Sequence, residues 1–322
     1  MIRLSAGTAA VMGLSGNRMD VFPTTAYLLS GTSCTMKCSF CPQGFGRDEA
    51  LNRLGRITWP EYPWEEMKKG LLLAQSRGVK RVCLQSVRHR DGIDTLLKNI
   101  ADIKHLSSLP LSLSAWLKNE EEAAALVRAG VDRISVSLDV VNPEAHARIK
   151  GGSLDDRLSL LLRCADRLPG KMSTHIICGL GESEKEVIDL INILVENDIT
   201  IALFAFVPLR GTPLADTDPP ALDSYRRIQA GHYLLKEKKI DYPSISFFNQ
   251  RLVSYGLTDG ELEKYLEDGK AFQTSGCPDC NRPYYNERPG GVIYNYHRSL
   301  NTVEMMEAYD CLKSSLSTEA GV

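Results

Sequence analysis

Ala26-Tyr-Leu-Leu-Ser30-Gly31-Thr-Ser-Cys34-Thr-Met-Lys-Cys38-Ser-Phe40-Cys41-Pro-Gln-Gly44 sets an apolar run of strand length directly before a loop of three cysteines. The run is the first beat of an alternation that continues for almost two hundred residues. Trp64–Ser76 reads as a helix, Val79–Ser86 as a β-rich run, Ile93–Leu106 as a helix and Leu109–Trp116 as extended. Glu120–Ala129 follows as a helix and Arg133–Asp139 as a strand. Leu154–Arg167 is helical, Ser173–Gly179 extended, Lys185–Glu196 helical and Ile199–Pro208 extended. Strict alternation of this kind predicts parallel βα units with right-handed crossovers. Six units fit before about residue 240, with one more strand candidate near Ser244–Phe248. The expectation is an α/β fold, a partial (β/α)6-type TIM barrel. Residues 1–24 form an N-terminal segment, 25–255 the barrel, and 256–322 a C-terminal extension with a second cysteine motif.

Composition narrows the function. Thirty-eight Lys and Arg against 40 Asp and Glu give a net charge of −2, with no long basic block to track a nucleic-acid backbone. No stretch approaches the length of a membrane span. The run from Ser5 to Leu14 is small and weakly apolar, a poor secretory signal, so the expected location is the cytoplasm. Nine cysteines are many for a reducing compartment, and metal binding explains an odd, clustered set better than disulfides do.

Cys34, Cys38 and Cys41 can wrap one [4Fe–4S] cubane and leave its fourth iron open to a small chelating ligand. The alternatives are a zinc site with a distant fourth ligand, or idle thiols. Zinc favours paired CxxC elements, and a surface loop is a poor place for idle thiols.

The spacing Cx3CxΦC, with Phe40 before the last cysteine, resembles the signature of the radical S-adenosylmethionine (radical SAM) superfamily. The resemblance implies that the open iron binds the methionine moiety of S-adenosylmethionine, and that one electron releases a 5′-deoxyadenosyl radical. It places Phe40 against adenine. Ile177-Cys-Gly179-Leu-Gly181-Glu182 looks like the family's GxIxGxxE element, with His175 where the first Gly is usual. It implies adenine and ribose contacts for Ile177 and Glu182. Ser137 and Asp139, ending the fourth strand, would meet the ribose, though Asp139 reads equally as a turn or cap residue. Phe206-Val207-Pro-Leu-Arg-Gly-Thr-Pro-Leu214 resembles a segment of the biotin synthase branch, with Val207 near adenine.

Many superfamily members carry Gly-Gly-Glu after the second strand, where this chain has Leu84-Gln85-Ser86-Val87-Arg88-His89. Biotin synthase-like members lack that Glu as well. Arg81-Val82-Cys83-Leu84 resembles the stretch in which a strand cysteine of biotin synthase holds an auxiliary cluster. Two other cysteine positions of that enzyme are replaced here, one of them by Ser173, and Ser246 takes the place of its cluster-binding arginine. Cys277 and Cys280 are candidates to substitute, giving an auxiliary Fe–S cluster held by Cys83, Cys277 and Cys280. A redox dithiol or a zinc knot are the alternatives for the pair. The run Thr274-Ser-Gly-Cys277-Pro-Asp-Cys280-Asn-Arg-Pro-Tyr-Tyr-Asn286-Glu287 is similar to biotin synthase-related proteins, among them the subunits of the two-protein lipoyl synthase.

The resemblance implies sulfur insertion at an unactivated C–H bond, with an octanoyl chain on a lipoyl carrier protein as the expected substrate. Biotin synthase-like insertion into a small molecule, and radical methylation or rearrangement, stand as alternatives. An Fe–S assembly or electron-carrier subunit is a third reading, which the adenine and ribose motifs oppose. A low-potential donor such as ferredoxin or flavodoxin, and a companion radical SAM subunit, are the expected partners. Strand parity puts His175 and Ile177 on the same side as Ser173 and sends Cys178 outward. Cys164 reads as structural. Cys311 is a candidate extra ligand, and His89, His175 and Glu287 are candidate residues of the barrel mouth. No general base is assigned.

Overall fold

A computed structural model describes residues 2–31, 34–45, 52–88, 92–288 and 290–316. Its centre is an eight-stranded sheet. Six strands run parallel in chain order: β2 (Thr25–Ser30), β6 (Arg81–Ser86), β7 (Leu111–Ser114), β8 (Arg133–Ser135), β9 (Met172–Cys178) and β10 (Thr200–Ala205). Two more continue the sheet beyond β2, each antiparallel to its neighbour: β1 (Ile2–Leu4) on β2, and β5 (Glu61–Tyr62) on β1. Between β2 and β5 the chain forms a short hairpin of β3 (Arg53–Leu54) and β4 (Ile57–Thr58). The mostly parallel sheet is the α/β, partial-barrel architecture that the alternation predicts.

Alternation along each strand sorts side chains between helices and interior. Ala26 and Leu28, Val82 and Leu84, Leu111 and Leu113, Ile134, Met172 and Ile176, and Ile201 and Leu203 all join the main apolar core. Their neighbours Tyr27, Leu29, Cys83, Gln85, Ser112, Ser114, Ser135, Ser173, His175, Ala202 and Phe204 line interior cavities. The helices start where capping chemistry dictates. Ser183 and Glu186 form a reciprocal capping box at Glu184–Glu196, and Asn119 caps Glu120–Arg128, whose first turn is acidic.

One expectation changes. The strand candidate near Ser244–Phe248 does not extend the barrel. It pairs as β11 (Ser246–Phe248) with β12 (Arg251–Ser254) in a separate two-stranded ribbon. The tight turn at Asn249 and Gln250, both at positive φ, folds it back on itself. The N-terminal segment 1–24 also supplies two elements, the strand Ile2–Leu4 and the helix Ala6–Val11. Among the described residues no helix is long and apolar enough to cross a membrane.

The extension beyond residue 256 runs along β10 and back to β2. Ser275 Oγ accepts from Leu203 N (2.9 Å), Arg282 donates to Leu203 O (3.2 Å) and Asn286 to Ala205 O (2.7 Å). On the other side Thr24 and Thr25 hydroxyls donate to Asp279 O (2.7 and 2.8 Å), and Arg282 N donates to Tyr27 Oη (3.1 Å). The free edge of β10 is thereby covered rather than left to pair with another chain.

Candidate functional site

The cysteine loop is pinned to three neighbouring connections at the C-terminal ends of the strands. Thr35 N donates to Arg88 O (2.7 Å), Ser39 N to Ile149 O (2.7 Å) and Leu214 N to Ser39 O (3.4 Å). Gly44 makes the loop compact, because a Cβ there would stand 2.6 Å from Met36 O. Above it lies a cavity of about 300 Å³, lined by Cys34, Cys38 and Cys41 together with Phe40, Ser137, Asp139, Ile177 and Val207. C-terminal strand ends are where barrel folds carry their sites.

Phe40 and Ile177 pack against an apolar cluster of Val140, Ala145, Ile149, Leu180 and Phe206, which gives the cavity an apolar side. Polar groups line the same cavity. Ser137 Oγ and His175 Nδ1 are 3.0 Å apart, and Asp139 pairs with Lys150 at 2.7 Å. Asp139 sits at φ 63, a left-handed geometry that Asp tolerates better than most residues. Burial pushes the Cys38 and Cys41 thiols up to about 12 and holds His175 down at about 4.

Glu182 is the one expected nucleotide contact that does not line the cavity. Its carboxylate accepts from Gly179 N (2.6 Å) and Leu180 N (2.9 Å) and so braces the turn that presents Ile177. Burial raises its pKa, with those backbone donors pulling the other way. Glu287 is also structural: buried, it accepts from Asn295 N at 2.8 Å. His175 does line the mouth, whereas His89 lies outside the described residues.

The sequence reading missed the cations of the mouth. Lys150, Arg88 and Arg157 all line it. Trp116 is held between the guanidiniums of Arg88 (4.3 Å) and Arg157 (4.0 Å). These residues come from three separate connections, and no local spacing announces the pairing.

Deeper in the barrel, a cavity of about 40 Å³ is lined by Cys83, Cys277 and Cys280, with Arg81, Arg282 and Tyr27 beside them. Tyr27 Oη is 3.4 Å from Cys280 Sγ, and Arg81 Nε holds Pro278 O at 2.9 Å. Burial raises the pKa of Cys83 and Cys280. Cys164 and Cys178 are core residues, as strand and helix position imply. Cys311 lies beside Arg226 on the outer helix Thr302–Lys313 and lines neither cysteine cavity. Ser246 stands on the outer ribbon, so the inner cavity draws its guanidiniums from β6 and from the extension instead.

Each cavity holds a trio of thiols, a donor set that suits an Fe–S cluster, whose thiolate ligands are spread over different irons.

The model of the Radical SAM superfamily matches residues 28–194, just over half of the chain. Among curated proteins the chain is 25% identical over 187 residues to the biotin synthase of Acaryochloris marina, covering 57% of this chain and 52% of that one. It is 24% identical over 190 residues to the GTP 3′,8-cyclase of Petrotoga mobilis, covering 56% and 55%. The chain thus spans about half the length of the curated relatives it matches. Two solved structures share the fold. Methylornithine synthase has a TM-score of 0.51 at 20% identity, over 73% of this chain and 67% of the other. HydG, a maturase of the [FeFe]-hydrogenase, has a TM-score of 0.54 at 14% identity, over 66% and 50%. With the cysteine loop, the mouth cavity and the matched profile in agreement, the chain belongs to the radical SAM superfamily, whose cofactors are a [4Fe–4S] cluster and S-adenosylmethionine.

Proposed function

We propose that the chain inserts sulfur at an unactivated C–H bond, on an octanoyl chain carried by a lipoyl carrier protein. One observation carries this reading. Gln85, Ser114, His175 and Phe204 line both the mouth cavity and the inner cysteine cavity, so the two groups of thiols open onto one interior. In this reading Cys34, Cys38 and Cys41 hold the [4Fe–4S] cluster, and Phe40, Ile177 and Val207 flank the adenine. Ser137 and Asp139 take the ribose hydroxyls, with Glu182 fixing the turn beneath. Cys83, Cys277 and Cys280 hold an auxiliary cluster. When bound, these groups supply a 5′-deoxyadenosyl radical to remove hydrogen and a sulfide to replace it. The chain's own part is to position and to exclude water. Leu29, Leu54, Val87 and Tyr285 give an acyl chain an apolar wall in the mouth, and Leu29 and Val87 belong to an apolar cluster that Cys34, Cys83 and Cys280 also touch. A low-potential ferredoxin or flavodoxin would supply the electron, and a companion radical SAM subunit the second insertion.

A second reading keeps the radical chemistry and changes the outcome to rearrangement or cyclisation of a polar small molecule. The GTP 3′,8-cyclase relatives and the hydroxyls of Ser114 and Ser137 favour it. Anaerobic reconstitution with iron and sulfide analysis tests the auxiliary cluster. About eight irons per chain fit two cubanes, and about four sink the auxiliary cluster. Mass spectrometry of octanoylated carrier protein after turnover then tests the substrate, because inserted sulfur adds a defined mass.

A further inference from the structure

Arg282 follows the second cysteine pair by two positions and turns back into the barrel at φ 37. Its side chain lines the inner cavity with Cys83, Cys277 and Cys280, and the residue is only 7% exposed. Its neighbours offer little to a cation: the Phe204 ring at 4.1 Å and the single carbonyl of Leu203 at 3.2 Å.

Three other deep arginines are better served, whereas Arg157, with one carbonyl and the Trp116 ring, resembles Arg282. Arg81 pairs with Asp132 at 2.8 Å, and Arg227 with Glu184 and Asp223 at 2.6 and 2.9 Å. Arg226 has no carboxylate, but three oxygens enclose it: Gln229 Oε1, Tyr294 O and Ile293 O, each at 2.6 Å. Among the described residues no carboxylate forms an ion pair with Arg282. A guanidinium has five N–H donors, and burying its charge without a partner is expensive.

We propose that Arg282 is an uncompensated buried cation in the metal-free chain, and that an anionic group bound by Cys83, Cys277 and Cys280 balances it. The identity of that group as an Fe–S cluster rests on the function proposed above. The negative charge comes from the ligands themselves, since each thiol that binds iron releases its proton to solvent. An arginine that merely fills space would stabilise the chain equally in both states. A waiting countercharge stabilises only the filled one.

The test compares the full chain, metal-free under chelator and after anaerobic reconstitution, with the variants Arg282→Gln, Arg282→Met and Arg282→Lys. In the metal-free state the Gln and Met variants should unfold about 2–5 °C above the wild type, because the buried charge is gone. Arg282→Lys, which keeps the charge, should not. After reconstitution the order should invert: Gln and Met should lose about half of the bound iron, and Lys should retain it. A fall in the metal-free midpoint for both neutral variants, or a full complement of iron in them, overturns the proposal. If the wild type binds only about four irons while the neutral variants still gain stability, the auxiliary cluster is refuted and the uncompensated charge stands.

Discussion

Lys150 Nζ lies 2.7 Å from Asp139 Oδ2 beneath the mouth of the barrel, with side-chain exposures of 6% and 14%. The same ammonium also donates to the carbonyls of Ser137 and Leu138. One side chain thus holds the end of the fourth parallel strand and the carboxylate it presents. Removing it strands a nearly buried anion. Lys150→Met should cost about 2–4 kcal/mol, measured by urea unfolding of the metal-free chain. Asp139→Asn keeps an acceptor for Lys150 and tolerates φ 63, so it should cost about 1 kcal/mol. Equal losses would mean that the charge pair alone, without the two carbonyls, carries what Lys150 contributes.

Glu182 braces a turn instead of touching the cavity, and that role has its own signature. Glu182→Ala frees the amides of Gly179 and Leu180, which the carboxylate now holds. The expected cost is about 1–3 kcal/mol. Hydrogen exchange at those two amides should quicken, while amides in the middle of β9 keep their protection. Unchanged exchange at Gly179 and Leu180 would remove the bracing role.

Acid should weaken the fold through its buried imidazoles. Burial holds His175 at about 4 and His232 at about 3, both below the usual histidine value of about 6.5. Below about pH 6.5 the unfolded chain takes up protons that these side chains refuse in the fold. Stability is therefore complete above that pH and falls as the pH drops toward 4, by up to about 1.4 kcal/mol per pH unit for each group. Denaturant unfolding of the metal-free chain at pH 7.5, 6 and 5 reads the slope. His232→Leu should flatten it, and an unaltered slope would assign the acid sensitivity elsewhere.

Much of this architecture was legible because the strands and helices declare themselves locally. The helices Trp64–Ser76 and Leu154–Arg167 fall on their expected bounds. The period of two in β9 sends Ser173, His175 and Ile177 inward and Cys178 to the core. What failed to show was what depends on distant partners. Ser246 has the composition of a strand residue, but which sheet it joins is decided by the turn at Asn249 and Gln250. Glu182 fits a motif, yet only its backbone donors reveal where the carboxylate points. Arg157 meets Trp116 across forty residues of chain, and Arg282 meets Phe204 across more. Neither pairing has a sequence period to betray it.

The seam along β10 also sets a timetable. Asn281 Oδ1 accepts from Thr24 N across 257 positions of the chain, and Cys83 shares its cavity with cysteines near the far end. On a ribosome, the loop of Cys34, Cys38 and Cys41 is complete long before Cys277 is made. The first trio is therefore local to one loop, while the second exists only once the barrel has been sewn shut.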